Sequence, residues 1–396
     1  MASVVFYFQV HQPPRLRRYS IFDSEPNYFD EWRNEQILRK VADKCYRPAT
    51  QLIRDLVHEH EGRFRVSYSL TGTVIEQLRR WAPDVLDLFV ELSQTGCVEF
   101  IAETYYHSLS FLYDRDEFVE QTRLHCELME DLFGGRPRVF RNTELTYNND
   151  VAKVVEDMGF EAILTEGADH ILGYRSPNFL YKPPNCDHLR MLMKNYRLSD
   201  DIAFRFGNRG WPEWPLSSEK FAGWVDQING NGYVCDLFMD YETFGEHQWA
   251  DTGIFDFLRA LPGAVMANGK NDFITVSEAI DRYPVVGEVD VPHMISWADT
   301  ERDISAWLGN SMQSNALHDL YSLGEDVKGT QDDILVDDWR KLQTSDHFYY
   351  MCTKWFADGD VHKYFNPYES PYDAYINYMN ILDNVRARIA GARAAT

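Results

Sequence analysis

The sequence has few basic residues for its length, and its cysteines lack the spacing of a metal or redox motif. The 396 residues include six cysteines, none of them in a CxxC pair, which disfavours a zinc ribbon or a thioredoxin-like site. Lysine and arginine number 39 against 62 aspartates and glutamates, so the net charge is −23. Such a surface repels nucleic acid and anionic lipid. We therefore expect neither nucleic acid nor a membrane as a partner, and an uncharged substrate.

Long apolar runs and targeting segments are also missing. No apolar stretch reaches the ~20 residues that cross a bilayer. The N-terminus, Met-Ala-Ser-Val-Val-Phe-Tyr-Phe, has neither the basic region nor the cleavage site of a signal peptide. These absences predict a soluble, cytoplasmic protein. No GxGxxG follows the first apolar run, and no GxxxxGK followed by Ser or Thr occurs, which gives a nucleotide-binding fold little support.

What the sequence does contain is an alternation of strand and helix patterns. Short apolar runs that end in polar residues predict strands at 4–10, 64–70, 98–102, 139–144, 162–166, 233–239 and 273–276. Helical spacing between these runs is typical of a parallel sheet that is closed, or nearly closed, by crossover helices. Residues 170–215 are rich in Pro, Asn and Trp, and we interpret them as an insertion with short strands over the barrel mouth.

Beyond about residue 290 the pattern changes to helices. Helical spacing recurs at 303–323, 333–342, 346–356 and 372–389. The chain length fits an α/β barrel of roughly 250–300 residues with an appended region. We therefore predict a barrel domain over residues 1–290 and a helical C-terminal region over residues 291–396.

Two of the predicted strands end in carboxylates. The strand at 233–239 leads into a polar turn that contains Asp240, Glu242, Gly245, Glu246 and His247. The run that starts at Arg138 leads to Glu144 in the same manner. Because α/β barrels carry their catalytic residues at the carboxyl ends of the strands, we expect both carboxylates at one face of the barrel. Two such carboxylates are what the cleavage of a glycosidic bond needs.

Several motifs occur in a fixed order along most of the chain. They are His11-Gln-Pro13, Glu99-Phe-Ile-Ala-Glu-Thr-Tyr-Tyr-His107, Phe140-Arg-Asn-Thr-Glu144, Asp240-Tyr-Glu-Thr-Phe-Gly245, Ser296-Trp-Ala-Asp-Thr-Glu-Arg-Asp-Ile-Ser-Ala-Trp-Leu-Gly-Asn310 and Ser345-Asp-His347. Together they resemble glycoside hydrolase family 57, in its shorter α-amylase-type members. The resemblance implies an incomplete (β/α)7 barrel, a helical C-terminal region that completes the active site, and a retaining mechanism on α-1,4-glucans. It implies neither a metal nor another cofactor.

The resemblance also implies roles for the two carboxylates. Glu144 matches the nucleophile, which must be ionised, and Arg141 nearby could keep it so. Asp240 matches the acid/base, which must carry a proton at rest. Glu242 lies two residues further on, and a like charge there would raise the pKa of Asp240.

Further side chains are expected to bind the substrate through hydroxyl contacts or ring stacking. They are His11, Glu103, His107, Glu242, His247, Trp297, Trp307, Asp346 and His347. Trp249 is a further candidate for a stacking platform.

Other activities remain open at this stage. The same family includes 4-α-glucanotransferases and α-galactosidases, and its motifs separate these poorly. Similar barrels host metal-dependent carbohydrate deacetylases, in which His11, His107 and Asp240 would be the ligands, but these residues lack a tight ligand spacing. A non-catalytic glucan-binding protein is the remaining alternative. Nothing in the sequence indicates the oligomeric state.

Overall fold

A curved parallel β-sheet forms the centre of the molecule. The structure, a computed structural model, describes residues 1–354 and 366–395. Within them the strands are β1 Ala2–Val10, β2 Val66–Leu70, β3 Val98–Phe100, β4 Val139–Arg141, β5 Ala162–Glu166, β6 Leu180–Lys182, β7 Arg190–Lys194, β8 Val234–Asp240, β9 Asn271–Ile274 and β10 Val285–Glu288. All nine residues of β1 are buried, as expected for the central strand of a sheet with both faces covered.

Seven of these strands run parallel around an incomplete barrel. β1 pairs with β8 on one side and with β2 on the other, and β3 follows β2. A parallel bridge from Ala102 to Phe140 joins the end of β3 to β4, and β5 and β7 continue the sheet. The outer strands, β7 and β8, share no ladder among the described residues and are linked by the Asn195 N–H, which donates to the Asp236 carbonyl at 2.8 Å. The predicted incomplete (β/α)7 barrel is confirmed.

The segment interpreted as an insertion over the barrel mouth contains a barrel strand instead. β7 pairs with β5 along the whole length of both, from Arg190 to Lys194. Its middle residue, Leu192, packs inside the barrel, while Met191 and Met193 pack outside. β7 is short and follows a stretch rich in Pro and Asn, so the sequence pattern did not show that it belongs to the barrel sheet. β9, which was predicted to be the last barrel strand, pairs with the first half of β1 and with no other strand of the described ranges.

Helices cover the outside of the sheet. Those before residue 290 are α1 Glu31–Val41, α2 Arg47–Glu59, α3 Gly72–Trp81, α4 Pro83–Ser93, α5 Arg115–Phe133, α6 Asn149–Asp157, α7 Asp169–Leu172, α8 Tyr196–Asp200, α9 Ser218–Asp226, α10 Ile254–Met266 and α11 Val276–Arg282. A five-residue π-helical segment, Ala42–Tyr46, connects α1 to α2 and places Pro48 in the first turn of α2, where proline is tolerated.

A second group of helices follows the barrel. They are α12 Ser305–Leu308, α13 Ser311–Ser322, α14 Gly324–Gly329, α15 Asp333–Lys341, α16 Ser345–Tyr349 and α17 Pro371–Ala395. The helix predicted over 346–356 ends earlier than expected, and the last two residues of that prediction lie outside the described part of the chain. None of the helices in the described ranges is both long enough and apolar enough for a bilayer span. The boundary near residue 290 stays a prediction.

The helices after the barrel reach the carboxyl ends of its strands. The Ser345 N–H donates to the His107 carbonyl at 2.9 Å, and the Thr344 hydroxyl donates to the Tyr106 carbonyl at 2.9 Å. These bonds fix the start of α16 against the loop that follows β3. Asp346, the next residue, is therefore carried to the barrel mouth.

Side chains alternate along each strand between the barrel interior and its outer layer. On β8, Val234 and Phe238 pack in the interior with Val5 and Tyr7, whereas Cys235 and Leu237 pack outside. Asp236 has the parity of the interior residues and is fully buried. A carboxyl therefore lies in the barrel, well below the strand end.

Asp236→Asn should stabilise the protein at neutral pH but not at low pH. Burial raises the pKa of Asp236 well above its ordinary value. Below about pH 4 the acid is protonated in both the folded and the unfolded chain. Above that pH only the unfolded chain loses the proton, so the wild type should lose about 1.4 kcal/mol of stability per pH unit until the raised pKa is reached. The amide does not titrate, and urea unfolding between pH 4 and 8 would measure the difference.

Asp87→Asn provides the matched control, because Asp87 is exposed on α4. We expect this exchange to change the free energy of unfolding by less than about 0.5 kcal/mol at every pH. An Asp236→Asn effect of the same size at pH 4 and pH 8 would mean that the buried carboxyl does not carry a proton of its own in the folded state.

Candidate active site

An open cleft of about 650 Å³ lies at the carboxyl ends of the strands. Eight of the eleven predicted site residues line it: His11, His107, Glu144, Asp240, Glu242, His247, Trp297 and Asp346. They come from the ends of separate strands, from the loop before α12 and from α16. The sheet therefore gathers side chains that are far apart in the sequence.

Glu144 lies just beyond β4 in a strained turn. Its φ of +56° is in the left-handed region, which is uncommon for a residue other than glycine. One carboxylate oxygen faces His107 Nε2 at 3.0 Å, and the other accepts the indole N–H of Trp297 at 2.7 Å. Burial acts to raise the pKa of Glu144, but the hydrogen bond and charge of His107, the charge of Arg141 and the bond from Trp297 lower it to about 2. The carboxylate is therefore ionised at any ordinary pH.

His107 bridges two carboxylates. Its Nδ1 lies 3.2 Å from Glu103 Oε2 and its Nε2 lies 3.0 Å from Glu144 Oε1. Burial acts to lower the pKa of His107, but the bonds and charges of Glu103 and Glu144 raise it to about 9. Glu103 is fully buried and accepts a further bond from Gln9 Nε2 at 3.0 Å. At neutral pH the bridge is an imidazolium between two carboxylates.

His11 stacks on His107 with ring centroids 3.9 Å apart. The Nε2 of His11 lies 3.0 Å from Asp346 Oδ2, and its Nδ1 lies 3.0 Å from the hydroxyl of Thr71. Burial and the charge of His107 lower the pKa of His11, so the ring is neutral beside the imidazolium. Burial acts to raise the pKa of Asp346, but His11 and His107 lower it overall. Neutral His11 therefore donates from Nε2 to the Asp346 carboxylate and accepts from Thr71.

Asp240 is the last residue of β8. Burial, with the charge of Glu144 second, raises the pKa of Asp240 to about 6, while Arg141, Lys194 and His107 act against the increase. The sequence spacing had suggested Glu242 as the source of this effect. The like charge that acts on Asp240 is that of Glu144, a residue from a different strand.

Glu242 is itself a neutral acid at neutral pH. Burial, with the charge of Asp240 second, raises the pKa of Glu242 to about 8. Its carboxyl accepts a hydrogen bond from the hydroxyl of Tyr46, and Gln12 Nε2 lies 3.4 Å from the same oxygen. Because Glu242 keeps its proton, it cannot supply the negative charge that was expected to act on Asp240.

Arg141 acts on the site from inside the barrel. It is fully buried, and within residues 1–354 and 366–395 its guanidinium nitrogens have no hydrogen-bond partner. The guanidinium carbon lies 4.7 Å from the ring centroid of Trp297, and Lys194 Nζ lies 5.3 Å from the same ring. Arg141 thus lowers the pKa of Glu144 through its charge, as the sequence suggested, although the two side chains form no ion pair.

A cluster of charged side chains at the cleft wall was not predicted from the sequence. Lys194 Nζ lies 3.2 Å from Asp200 and 3.8 Å from Glu166. Arg302 lies 3.5 Å from each of the same two carboxylates and donates to the carbonyl of Trp297 at 2.5 Å. Arg302 falls within the motif that starts at Ser296, which was the available signal. Lys194 ends β7, whose place in the sheet the sequence analysis did not find.

Four predicted substrate contacts lie elsewhere. Glu103 is buried behind His107. Trp307 is 1% exposed in the core of the C-terminal helices, so its rings cannot stack on a sugar. His347 is buried and faces the Lys341 carbonyl at 3.2 Å. Trp249 is exposed and packs against Lys44, but does not line the cleft.

The two histidines considered as metal ligands are engaged by other groups. All four of their ring nitrogens face side-chain oxygens within 3.2 Å. Across the described ranges, no three His, Cys, Asp or Glu side chains converge as metal ligands would.

Comparisons with known proteins agree with this geometry. The family model described as Glycosyl hydrolase family 57 matches residues 5–292. A protein of Methanocaldococcus jannaschii named "Putative alpha-amylase" is 45% identical over 393 residues, which cover 96% of this chain and 83% of that protein. The "Alpha-amylase" of Pyrococcus horikoshii is 23% identical over 166 residues, which cover 42% of this chain and 23% of that protein.

Solved structures share the fold at low sequence identity. The 4-α-glucanotransferase of Thermococcus litoralis superposes with a TM-score of 0.72 and 14% identity, over 98% of this chain and 60% of that one. A branching enzyme of Pyrococcus horikoshii gives a TM-score of 0.69 and 16% identity, over 97% of this chain and 88% of that one. The family model covers most of the barrel, including both strand-end carboxylates and the two stacked histidines. The chain therefore belongs to glycosyl hydrolase family 57 and is a glycoside hydrolase with an incomplete (β/α)7 barrel.

Proposed function

We propose that this chain is a retaining hydrolase of α-1,4-glucans, with Glu144 as the nucleophile and Asp240 as the acid/base. The observation that carries the proposal is that the two carboxyls, which line one cleft, have pKa values displaced in opposite directions, so that between these values one is ionised and the other protonated. The pKa of Glu144 is lowered to about 2 and that of Asp240 is raised to about 6. A double-displacement mechanism needs one ionised carboxylate and one protonated acid at the same bond.

In the first step Glu144 attacks the anomeric carbon of the bound sugar. The carboxylate oxygen forms a bond to that carbon while the bond to the leaving oxygen breaks. Asp240 gives its proton to the leaving oxygen, which departs as the free 4-hydroxyl of the next glucose. The products of this step are a glycosyl ester on Glu144 and an ionised Asp240.

In the second step a water molecule displaces Glu144 from the anomeric carbon. Ionised Asp240 takes a proton from the water, whose oxygen attacks the anomeric carbon, and the ester bond to Glu144 breaks. The sugar leaves with its original α configuration, and both carboxyls return to their starting states. This mechanism predicts a separation of roughly 5–5.5 Å between the two carboxyl groups in a crystal structure.

The substrate class rests on the relatives and on the character of the cleft. The relatives from Methanocaldococcus jannaschii and Pyrococcus horikoshii are named "Putative alpha-amylase" and "Alpha-amylase". Lys194 and Arg302 of the cleft wall are paired with Asp200, which also lines the cleft, and with Glu166, which is fully buried. Such a wall suits an uncharged polyhydroxylated ligand. A cytoplasmic location, with starch or glycogen as the polymer, remains a prediction from the sequence.

The pH profile is the first test. Since kcat/KM reports the free enzyme, activity on maltoheptaose should be constant from about pH 3 to 5 and should fall tenfold per pH unit well above pH 6, where Asp240 loses its proton. A control substrate such as α-maltosyl fluoride, whose leaving group needs little acid assistance, should show a much weaker alkaline decline. Equal activity on maltoheptaose at pH 5 and pH 8 would contradict the role of Asp240.

Azide rescue separates the roles of the two carboxyls. Glu144→Ala and Asp240→Ala should each lower kcat by several orders of magnitude, because each group acts in the transition state. With Glu144→Ala, azide enters from the face that the nucleophile occupied and should give a glycosyl azide of β configuration. With Asp240→Ala and a good leaving group, azide attacks the covalent intermediate and should give the α azide. Opposite stereochemistries would reverse the assignment, and two variants of near wild-type activity would refute it.

Product analysis separates hydrolysis from glycosyl transfer. Both reactions share the glycosyl ester and differ only in whether water or a sugar hydroxyl accepts the glycosyl group. We expect maltoheptaose to yield shorter chains only. Products longer than maltoheptaose would identify a 4-α-glucanotransferase, and turnover of α-galactosides in place of maltoheptaose would identify an α-galactosidase.

A further inference from the structure

We propose that Glu103 and His107 are positioning residues for the nucleophile and that neither is a contact to the sugar. The inference deepens the proposed function, because it assumes that Glu144 is the nucleophile. It departs from the sequence analysis, which placed both residues among the substrate contacts. The arrangement that carries it is a buried chain of three groups, in which the imidazole of His107 joins the carboxylates of Glu103 and Glu144.

The polar atoms of Glu103 and His107 already have partners within the protein. Both ring nitrogens of His107 face carboxylate oxygens, at 3.2 Å and 3.0 Å, and its side chain is 2% exposed. The side chain of Glu103 is fully buried, and its two oxygens face Gln9 and His107. A sugar hydroxyl would have to break one of these bonds inside the protein. Glu144, by contrast, keeps 16% of its side chain exposed to the cleft.

The backbone fixes His107 and Glu144 relative to each other. His107 and Glu144 both have φ values in the left-handed region, at +52° and +56°. The two loops that hold them are joined by a hydrogen bond of 2.9 Å between the hydroxyls of Thr104 and Thr143. The carbonyl of His107 also accepts a bond from the Ser345 N–H. Such strained positions persist only where the surroundings fix them, so the structure holds imidazole and carboxylate in one mutual geometry.

The charge on His107 acts on both proposed catalytic carboxyls. The charged and titratable groups that face His107 are Glu103, Glu144, the stacked ring of His11 and, through His11, Asp346. The carboxylates on both sides hold the ring protonated. The resulting positive charge lowers the pKa of Glu144 and also that of Asp240.

This double effect gives the pair a signature in the pH profile. If the charge on His107 is removed, the pKa values of Glu144 and Asp240 should both rise. The acid limb of kcat/KM, which reports Glu144, and the alkaline limb, which reports Asp240, should therefore move in the same direction, to higher pH. A residue that only binds a sugar hydroxyl would change KM and leave both limbs in place.

His107→Gln is the test variant, because the amide keeps a hydrogen-bond donor and has no charge. With α-maltosyl fluoride as the substrate, we expect kcat to fall roughly 10- to 100-fold with little change in KM. The midpoint of the acid limb of kcat/KM should move to higher pH by roughly 1–3 units, into the range above pH 3. With maltoheptaose the alkaline limb should rise as well. Limbs at the wild-type positions, with an increased KM, would overturn the proposal.

His188→Gln is the matched control. His188 also faces a glutamate, Glu156, at 3.2 Å, but its side chain is 62% exposed and it does not line the cleft. This variant should keep the wild-type limbs, kcat and KM. The thermal midpoint of both variants should be measured, so that a general loss of folding is recognised.

A double-mutant cycle distinguishes failure of this inference from failure of the proposed function. In the Glu144→Ala background azide replaces the nucleophile, so a residue that acts through Glu144 should no longer matter at a pH below the pKa of Asp240, where the charge on His107 does not change the protonation of Asp240. We expect His107→Gln to change the azide-rescued rate by less than about threefold there. A loss as large as that in the wild-type background would overturn the positioning role alone. Absence of azide rescue in Glu144→Ala itself would instead refute the proposed nucleophile.

Discussion

The ionised carboxylate of Glu144, held inside the protein, is the constraint on which the rest of the site depends. A carboxylate removed from water is costly unless donors and positive charges surround it. Here His107 and Trp297 supply the two hydrogen bonds, while Arg141 supplies a charge at longer range. Glu103 in turn keeps His107 protonated. The strand ends, the loop before α12 and the start of α16 are arranged to bring these groups to one carboxylate.

The same arrangement sets the opposite state of Asp240. Once Glu144 is ionised, its charge and the burial of the site favour the protonated form of the second carboxyl. The two carboxyls thus line one cleft and differ because, within residues 1–354 and 366–395, only Glu144 has hydrogen-bond donors shown at its carboxylate. Glu242 continues this trend, since it is buried beside Asp240 and holds its proton to a still higher pH. The site carries several acids but little net negative charge.

The C-terminal helices and the loop before them contribute side chains to the site. Asp346 reaches His11 from α16, and Trp297 reaches Glu144 from the loop before α12. Arg302 anchors that loop to carboxylates at the ends of β5 and α8. Family members of known structure share this fold at identities of 14–16%. One is a 4-α-glucanotransferase and the other a branching enzyme, so the fold alone does not identify the reaction.

The sequence by itself determined the parallel barrel, most of its strands and the strand-end carboxylates, because buried strands need continuous apolar runs and the turns that follow them need polar residues. It did not reveal β7 as a barrel strand, because a short apolar run does not show by itself which sheet it joins. The pairing of β7 with β5 shows this only in the folded structure. It also misplaced Trp307, since a tryptophan in a motif can stack on a sugar or fill a core. Only the tertiary structure decided which charge acts on which carboxyl, because protonation depends on distances between residues from different strands.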